Sequence, residues 1–402
     1  MAATNTTVPP NDLVAFIRRY QPELVTIRRD LHENPELGFE EVRTANVIEA
    51  QLKSYGVDEV HRGLGKTGVV GLLRGRRCDS GRSVGLRADM DAVPVQEDSE
   101  LPYRSKTDGT MHACGHDGHI AMLLGAARYL AETRNFNGIV YFYFQPGEEG
   151  HAGARAMIHD GLFERFPVDS VYALHNWPSL PAGAVGLNAG PMMAGIDVFK
   201  IRIKGVGGHG GHPHQGIDPI VASAHMLSAI QSIISRSIDP LESAVISFHY
   251  LHAGAPTALS VIPDTVECAG MVKWYSSSVQ AIAERRLREV VAQSAALFGA
   301  SAEIDYDALY PPTINTAENA EQVMRVATQL LGAENVERDM KPSMGSEDFA
   351  FMLEARPGAY FRLGTGGQPD RFLHSPRYDF NDDVIPIGAA VFGGIAEDAL
   401  PL

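Results

Sequence analysis

Cysteine is scarce in this chain: Cys78, Cys114 and Cys268 are the only three in 402 residues. So odd and sparse a set makes no disulfide framework and suits a reducing cytoplasm. Cations are short as well, since 34 Lys and Arg face 49 Asp and Glu, a net charge of −15. A surface this acidic repels phosphate backbones, which argues against nucleic acid as a partner. Long apolar runs are missing. The longest candidate, Ile220 to Ile234, is broken by Ser223, His225, Ser228, Gln231 and Ser232, and falls short of the roughly eighteen apolar residues a membrane span needs. Met1 to Asn11 is polar, without the basic and apolar segments of a signal peptide. A cytoplasmic protein with no membrane partner is expected. What is present is ordinary for a globular protein: 45% hydrophobic and 21% charged residues. That suffices for a core without staples, and the length suggests two or three domains.

Residues 1–10 read as a disordered lead. From Asp12, the apolar residues Leu13, Phe16, Ile17, Tyr20, Leu24, Ile27 and Leu31 recur at helical spacing until Pro35. A second amphipathic helix is expected over Glu41 to Tyr55. Strand-like runs follow at 67–73, 83–87 and 138–144, with a helix over 119–133 between them. Strands alternating with helices predict an α/β sheet covered on both faces. Near residue 195 the texture changes. Val198–Lys204 alternates strictly and reads as a strand with one wet face, a possible edge for pairing across a two-fold axis. A helix to about Arg236, strands over 244–251 and 265–274, a helix over 277–298 and a strand over 302–309 follow. The order β-α-β-β-α-β is ferredoxin-like. The expected division is a catalytic domain over 1–192 and 311–402, with a smaller α+β lid or dimerisation domain over 193–310. Pro311–Pro312 would be the return linker. The chain then resumes with helix, including one over 349–353, and a strand over 360–363.

The densest chemical signal is His112-Ala-Cys114-Gly-His116-Asp117-Gly-His119. Five thiol, imidazole and carboxylate groups in eight residues favour metal binding over a helix start with incidental histidines. The segment opens a helix, where α/β sheets place ligands. Glu148-Glu149 follows a strand directly. Two carboxylates there are costly unless paired or metal-bound, although two solvated turn residues would look the same. Asp89 and Asp91 follow the 83–87 strand in the same manner and either orient a metal-bound histidine or cap a turn. His175 ends an apolar run, and His374 stands alone in Leu-His-Ser-Pro; lone histidines are more often structural. Two other strings mislead. Gly205–Gly210 fits G-x-G-x-x-G after a strand but lacks the acidic residue about twenty positions on. Gly65-Lys66-Thr67 resembles a Walker tail, yet Val60 stands where its first glycine belongs. Neither G-x-S-x-G nor H-E-x-x-H occurs.

Taken in order, RADMDAVP, MHACGHDGH, QPGEEG, ALHNWP, GVGGHGGHPHQGIDP, GSEDFAF and LHSP resemble the M20-type metallo-amidohydrolases. The resemblance is to the branch of hippurate, N-acyl-amino-acid and auxin-conjugate hydrolases, and it runs from about Leu13 to the C-terminus. It implies two divalent metal ions per subunit (Zn, Mn, Ni or Co), held by Cys114, His116, Glu149, His175 and His374, with Cys114 bridging. It implies Glu148 as general base, Asp91 as the acid behind the ligands, and His209 as a donor to the substrate carbonyl, reaching in from the other subunit of a homodimer.

Two positions depart from the family. Ser260 stands where relatives have Asn, and Lys273 where they have Arg, in groups that help hold the substrate. Lysine cannot supply the planar fork that clamps a carboxylate. His212 and His214 add imidazoles with no assigned role. The leading expectation is therefore a dimetal hydrolase of a small N-acyl amino acid or aryl amide. The alternatives are a hydrolytic deaminase of a small aromatic amine on the same scaffold, and a non-catalytic metal-binding protein, against which the retained Glu148 argues.

Overall fold

Pro22 decides how the chain begins. A proline has no N–H to give and its ring clashes with the carbonyl four residues back, so it is tolerated only in a helix's first turn. The computed structural model, which describes residues 12–367 and 371–402, accordingly shows two helices, Leu13–Arg18 and Gln21–Glu33, where the apolar spacing predicts one. The lead expected over residues 1–10 lies outside the described residues. The helix expected next is Val42–Ser54.

The larger compact unit comprises the described residues up to Met192, Thr313–Pro342 and Asp348–Leu402. Its sheet has eight strands in the order Glu59–Leu64, Gly68–Arg74, Ile139–Gln145, Ser83–Asp89, Ser170–Trp177, Gly358–Gly364, Val185–Gly186 and Val336–Glu337. The central four, from Ile139–Gln145 to Gly358–Gly364, run parallel. Their residues are buried almost throughout, as expected of parallel strands covered on both faces. Two helices that pack on each other, His116–Thr133 and Ile385–Ala399, belong to this unit. The second has no polar face for a helical period to reveal, which hid it from the sequence reading. Its Gly388 is a packing requirement, because a Cβ there would meet Met122 Sδ at 2.1 Å.

The smaller unit is Met193–Pro312 with Ser343–Glu347. The sequence expectation ended this insertion at residue 310 and did not include Ser343–Glu347. Its four antiparallel strands lie in the order Ala244–Ala253, Thr265–Trp274, Gly195–Lys204 and Ser301–Tyr310, with helices Pro219–Ser237 and Ser277–Leu297 over one face. Along Gly195–Lys204 the odd positions point inward: Phe199, Ile201 and Ile203 are buried while Lys200, Arg202 and Lys204 are exposed. Burying each of those apolar side chains stabilises the unit by about 2 kcal/mol. One expectation is corrected. This strand is not an edge but lies between two neighbours; the edges are Ala244–Ala253 and Ser301–Tyr310. Alternation reports which face is wet and says nothing about main-chain pairing.

Candidate metal centre

The parallel strands end side by side. Asp89 is paired with Gln145, and Arg362 with His175, so Asp89–Asp91, Gln145–Glu149 and His175 all emerge at the carboxyl edge of the sheet, where open α/β sheets bind ligands. The loop 111–115 and the start of the His116–Thr133 helix belong to the same region. Gly115 makes the entry possible. Its φ of 86° is left-handed, and a side chain there would meet the Tyr378 hydroxyl at 2.7 Å and the Asn176 amide at 2.8 Å. His374 is brought in from the far end of the chain by its backbone N–H, which donates to Ala113 O at 2.8 Å. It holds a left-handed φ of 65°, an arrangement that costs a non-glycine residue roughly 1–3 kcal/mol and is typically kept where function requires it.

Two donor triads result. In the first, ligand atoms of Cys114, His116 and His175 lie within 4.8 Å of one another; in the second, those of Cys114, Glu149 and His374 do. Cys114 is the one residue common to both. Glu148 forms a further close group with His116 and Glu149. Cys114 Sγ is 3.5 Å from His175 Nε2, and His374 Nε2 is 3.0 Å from Glu149 Oε1. Asp91 ties the set together: its backbone O accepts from His116 Nδ1 at 2.9 Å, and its Oδ2 accepts from the Glu149 N–H at 2.9 Å.

These contacts test whether a cation fits. His116 is fully buried, and with Nδ1 spent on Asp91 its Nε2 has no hydrogen-bond partner among the described residues. His175 Nδ1 is spent on Asn176 O at 2.8 Å. Both rings therefore present Nε2, with the other nitrogen anchored, as metal-ligating histidines do. Burial pushes the Cys114 thiol far up, and the Glu149 and Glu148 charges add to it. Burial alone would lower His116, but Asp89 and Asp91 outweigh it and hold the ring at about 10. Burial, helped by His119, pushes His175 well down. The hydrogen bond to Glu149 raises His374. A divalent cation among these groups would favour the thiolate of Cys114 and the neutral ring of His116, the forms that ligate. Sulfur, imidazole and carboxylate together suit zinc and its neighbours.

The other members of the His112–His119 string go elsewhere. Asp117 pairs with Arg28 at 3.2 Å and His32 at 2.8 Å, wholly buried. His119 is close to Asp89 and His116, yet its nitrogens are engaged by Asp89 and by Asn176. Burial lowers His112 to about 4, and neither ring nitrogen finds a hydrogen-bond partner among the described residues.

Beneath the donors lies a buried charge layer that the sequence reading missed. Arg87 donates to Asp89 at 2.8 Å, to Gln145 at 2.8 Å and to Asp348 at 3.1 Å; Gln145 and the Ala154 N–H also donate to Asp348. Arg87 and Asp348 both stand in motifs read for the resemblance, but a charge in a sequence string does not declare itself buried.

The remaining candidates belong to the smaller unit. His209 pairs with Val261, and the Gly210 N–H donates to Ser260 O at 2.7 Å, so His209 and Ser260 are neighbours there. Lys273 donates to Ser346 Oγ at 2.7 Å, Ser346 in turn donates to Ala194 O at 2.8 Å, and burial lowers Lys273 to about 8. No carboxylate pairs with Lys273 among the described residues.

Comparison with known proteins agrees with this chemistry. The family described as peptidase family M20/M25/M40 matches residues 85–398. The hippurate hydrolase of Campylobacter jejuni is 41% identical over 385 residues, covering 96% of this chain and 98% of that protein. The N-acetylcysteine deacetylase of Bacillus subtilis is 37% identical over 380 residues, covering 94% and 97%. A Bacillus subtilis crystal structure described as a dinuclear metal binding peptidase of the M20 family superposes with a TM-score of 0.81 at 35% identity, covering 94% of this chain and 98% of that one. Fold, clustered donors and relatives lead to one conclusion: the chain belongs to peptidase family M20/M25/M40 and is a metal-dependent amidohydrolase.

Proposed function

We propose that this enzyme hydrolyses the C–N bond of a small N-acyl amino acid or aryl amide, using two divalent cations held by Cys114, His116, Glu149, His175 and His374. The observation that carries the reading is the pair of triads sharing Cys114, whose five residues would supply donors for two ions. When bound, such ions acidify water and polarise a carbonyl, the two things an amide lacks at neutral pH.

The chain's own groups do the rest. A Glu148 carboxylate oxygen takes the proton of the attacking water and returns it to the leaving nitrogen. Asp91 fixes the His116 tautomer through its backbone O and steadies Glu149 through its carboxylate. His209 of the partner subunit donates to the oxygen that becomes negative, which makes the working form a homodimer and the smaller unit its lid and dimerisation domain. Lys273, lacking an acidic partner, attracts a substrate carboxylate as a point charge, with Ser260 beside the His209 strand.

The amide reading is favoured over release of ammonia from an aromatic amine, because the relatives' names describe cleavage of acyl–nitrogen bonds. The test is a panel of N-acyl amino acids, aryl amides and aromatic amines, assayed after chelation and with Zn²⁺, Mn²⁺, Ni²⁺ or Co²⁺ restored in turn. Chelator-sensitive release of acyl product is expected. Ammonia release from unacylated amines, with no acyl product from any amide, would overturn the reading.

A further inference from the structure

His212 and His214 have no part in the chemistry above, yet they flank one of its residues. The segment 206–217 is a closed loop. Val206 and Ile217 exchange both backbone hydrogen bonds at 2.9 Å at its base, Gly210 N–H donates to Ser260 O at 2.7 Å, His212 N–H to His209 O at 2.8 Å, and Gln215 N–H to His212 O at 3.0 Å. Pro213 stiffens the turn between the last two histidines. All three imidazoles, His209, His212 and His214, are exposed on this framework.

Their spacing suits a cation. Nδ1 of His209 and Nδ1 of His212 are 3.4 Å apart. Two nitrogens each about 2.05 Å from one tetrahedral ion are separated by about 3.3 Å. The ring centroids are 5.1 Å apart for His209 and His212, and 6.1 Å for His212 and His214. Imidazoles sharing an ion have centroids about 3.2 Å from it, hence between about 5 and 6.4 Å from each other for angles from tetrahedral to linear. The Gly211 N–H donates to His209 Nδ1 at 3.0 Å, so that nitrogen carries a lone pair and no proton, the state a ligand needs. On an exposed loop, Gly211 can turn its N–H to water when a cation takes the lone pair. The nitrogens of the three rings are not all within 4.8 Å of one another, so a third bond from the exposed His214 requires a change of its rotamer, a picosecond-to-nanosecond motion for an exposed side chain.

We infer that His209, His212 and His214 form a surface site for a divalent transition-metal ion. Three imidazole ligands with open positions suit Zn²⁺, Ni²⁺ or Cu²⁺. A functional consequence follows, and it rests on the proposed role of His209: an ion held here withdraws that imidazole from the substrate, so excess metal inhibits an enzyme that needs metal to work.

The experiment uses the metal-replete enzyme without a histidine tag, dialysed against zinc chloride, with metal per chain measured by mass spectrometry. Wild type is expected to hold one ion more than H212N/H214N at the same free zinc. In the single variant H212N, half-saturation should move up by about tenfold or more, at least the cost of disturbing a metal ligand's support. Equal metal content in wild type and the double variant, with the resident ions retained in both, would overturn the site and leave the proposed function standing. Activity is read in parallel. Inhibition by excess zinc in wild type, relieved in H212N/H214N, supports the consequence. Binding without inhibition would keep the site and overturn the role given to His209.

Discussion

Asp117 offers a quantitative test of how the buried charges support the donor helix. It is fully buried, hydrogen-bonds His32 Nδ1 at 2.8 Å, and sits 3.2 Å from Arg28 Nε. Burial alone would lower His32. The hydrogen bond and charge of Asp117, with help from Glu97, outweigh it and raise the ring from 6.5 to about 9. The native state thus binds this proton more tightly than the unfolded chain does. The resulting stability is fully present below pH 6.5 and is lost as pH rises through about 9. A difference of about two and a half decades is worth about 3 kcal/mol. In D117N the ring loses its counter-charge and this pH-dependent part disappears. Arg28 also loses a partner, a loss of about 3–5 kcal/mol that does not vary over this range. The assay is urea unfolding followed by Trp177 in a W274F background, since these are the only two tryptophans. The stability gap between wild-type and D117N chains should shrink by about 3 kcal/mol between pH 6 and pH 10. A gap that stays constant across that range would refute the assigned cause.

Other outcomes follow from the site. Glu148→Gln should cut kcat by about 10²–10⁴-fold with metal content unchanged, as measured by steady-state kinetics and elemental analysis; loss of metal instead would make Glu148 a ligand. Cys114→Ser and His175→Ala should each lower retained metal after dialysis along with activity. Burial holds Lys273 near 8, so its ammonium is present below that pH and lost above it; KM for carboxylate-bearing substrates should rise above pH 8, and K273R should flatten that rise. Mixing inactive E148Q with inactive H209A chains should restore part of the activity if His209 serves the partner subunit. A mixture with no more activity than its components would count against a shared site.

How much of this was readable beforehand depended on how local each signal was. The donors lie in short strings of uncommon residues, so Cys114, His116 and the Glu148–Glu149 pair stood out from their neighbours alone. The ferredoxin-like order of the smaller unit was legible because its strands are amphipathic, with Thr265–Trp274 bounded as the alternation suggests. Features that depend on distant partners were not legible. Arg28, Arg87 and Asp348 look like surface charges until the fold buries Arg28 against Asp117 and Arg87 against Asp348. The inner position of Gly195–Lys204 depends on Thr265–Trp274 and Ser301–Tyr310, which lie tens of residues away. His119 carried the same local signal as His116, and only the geometry of Asp89 and Asn176 separates them.

The contact between His374 and Glu149 spans 225 positions, and the whole smaller unit is synthesised between them. The second triad's last donor is therefore translated after Glu149 and after every residue of the smaller unit. A chain that ends before His374 carries the whole Cys114–His116–His175 triad but only Cys114 and Glu149 of the second. A chain cut short before His374 would therefore carry an incomplete set of candidate donors however well its earlier segments had folded.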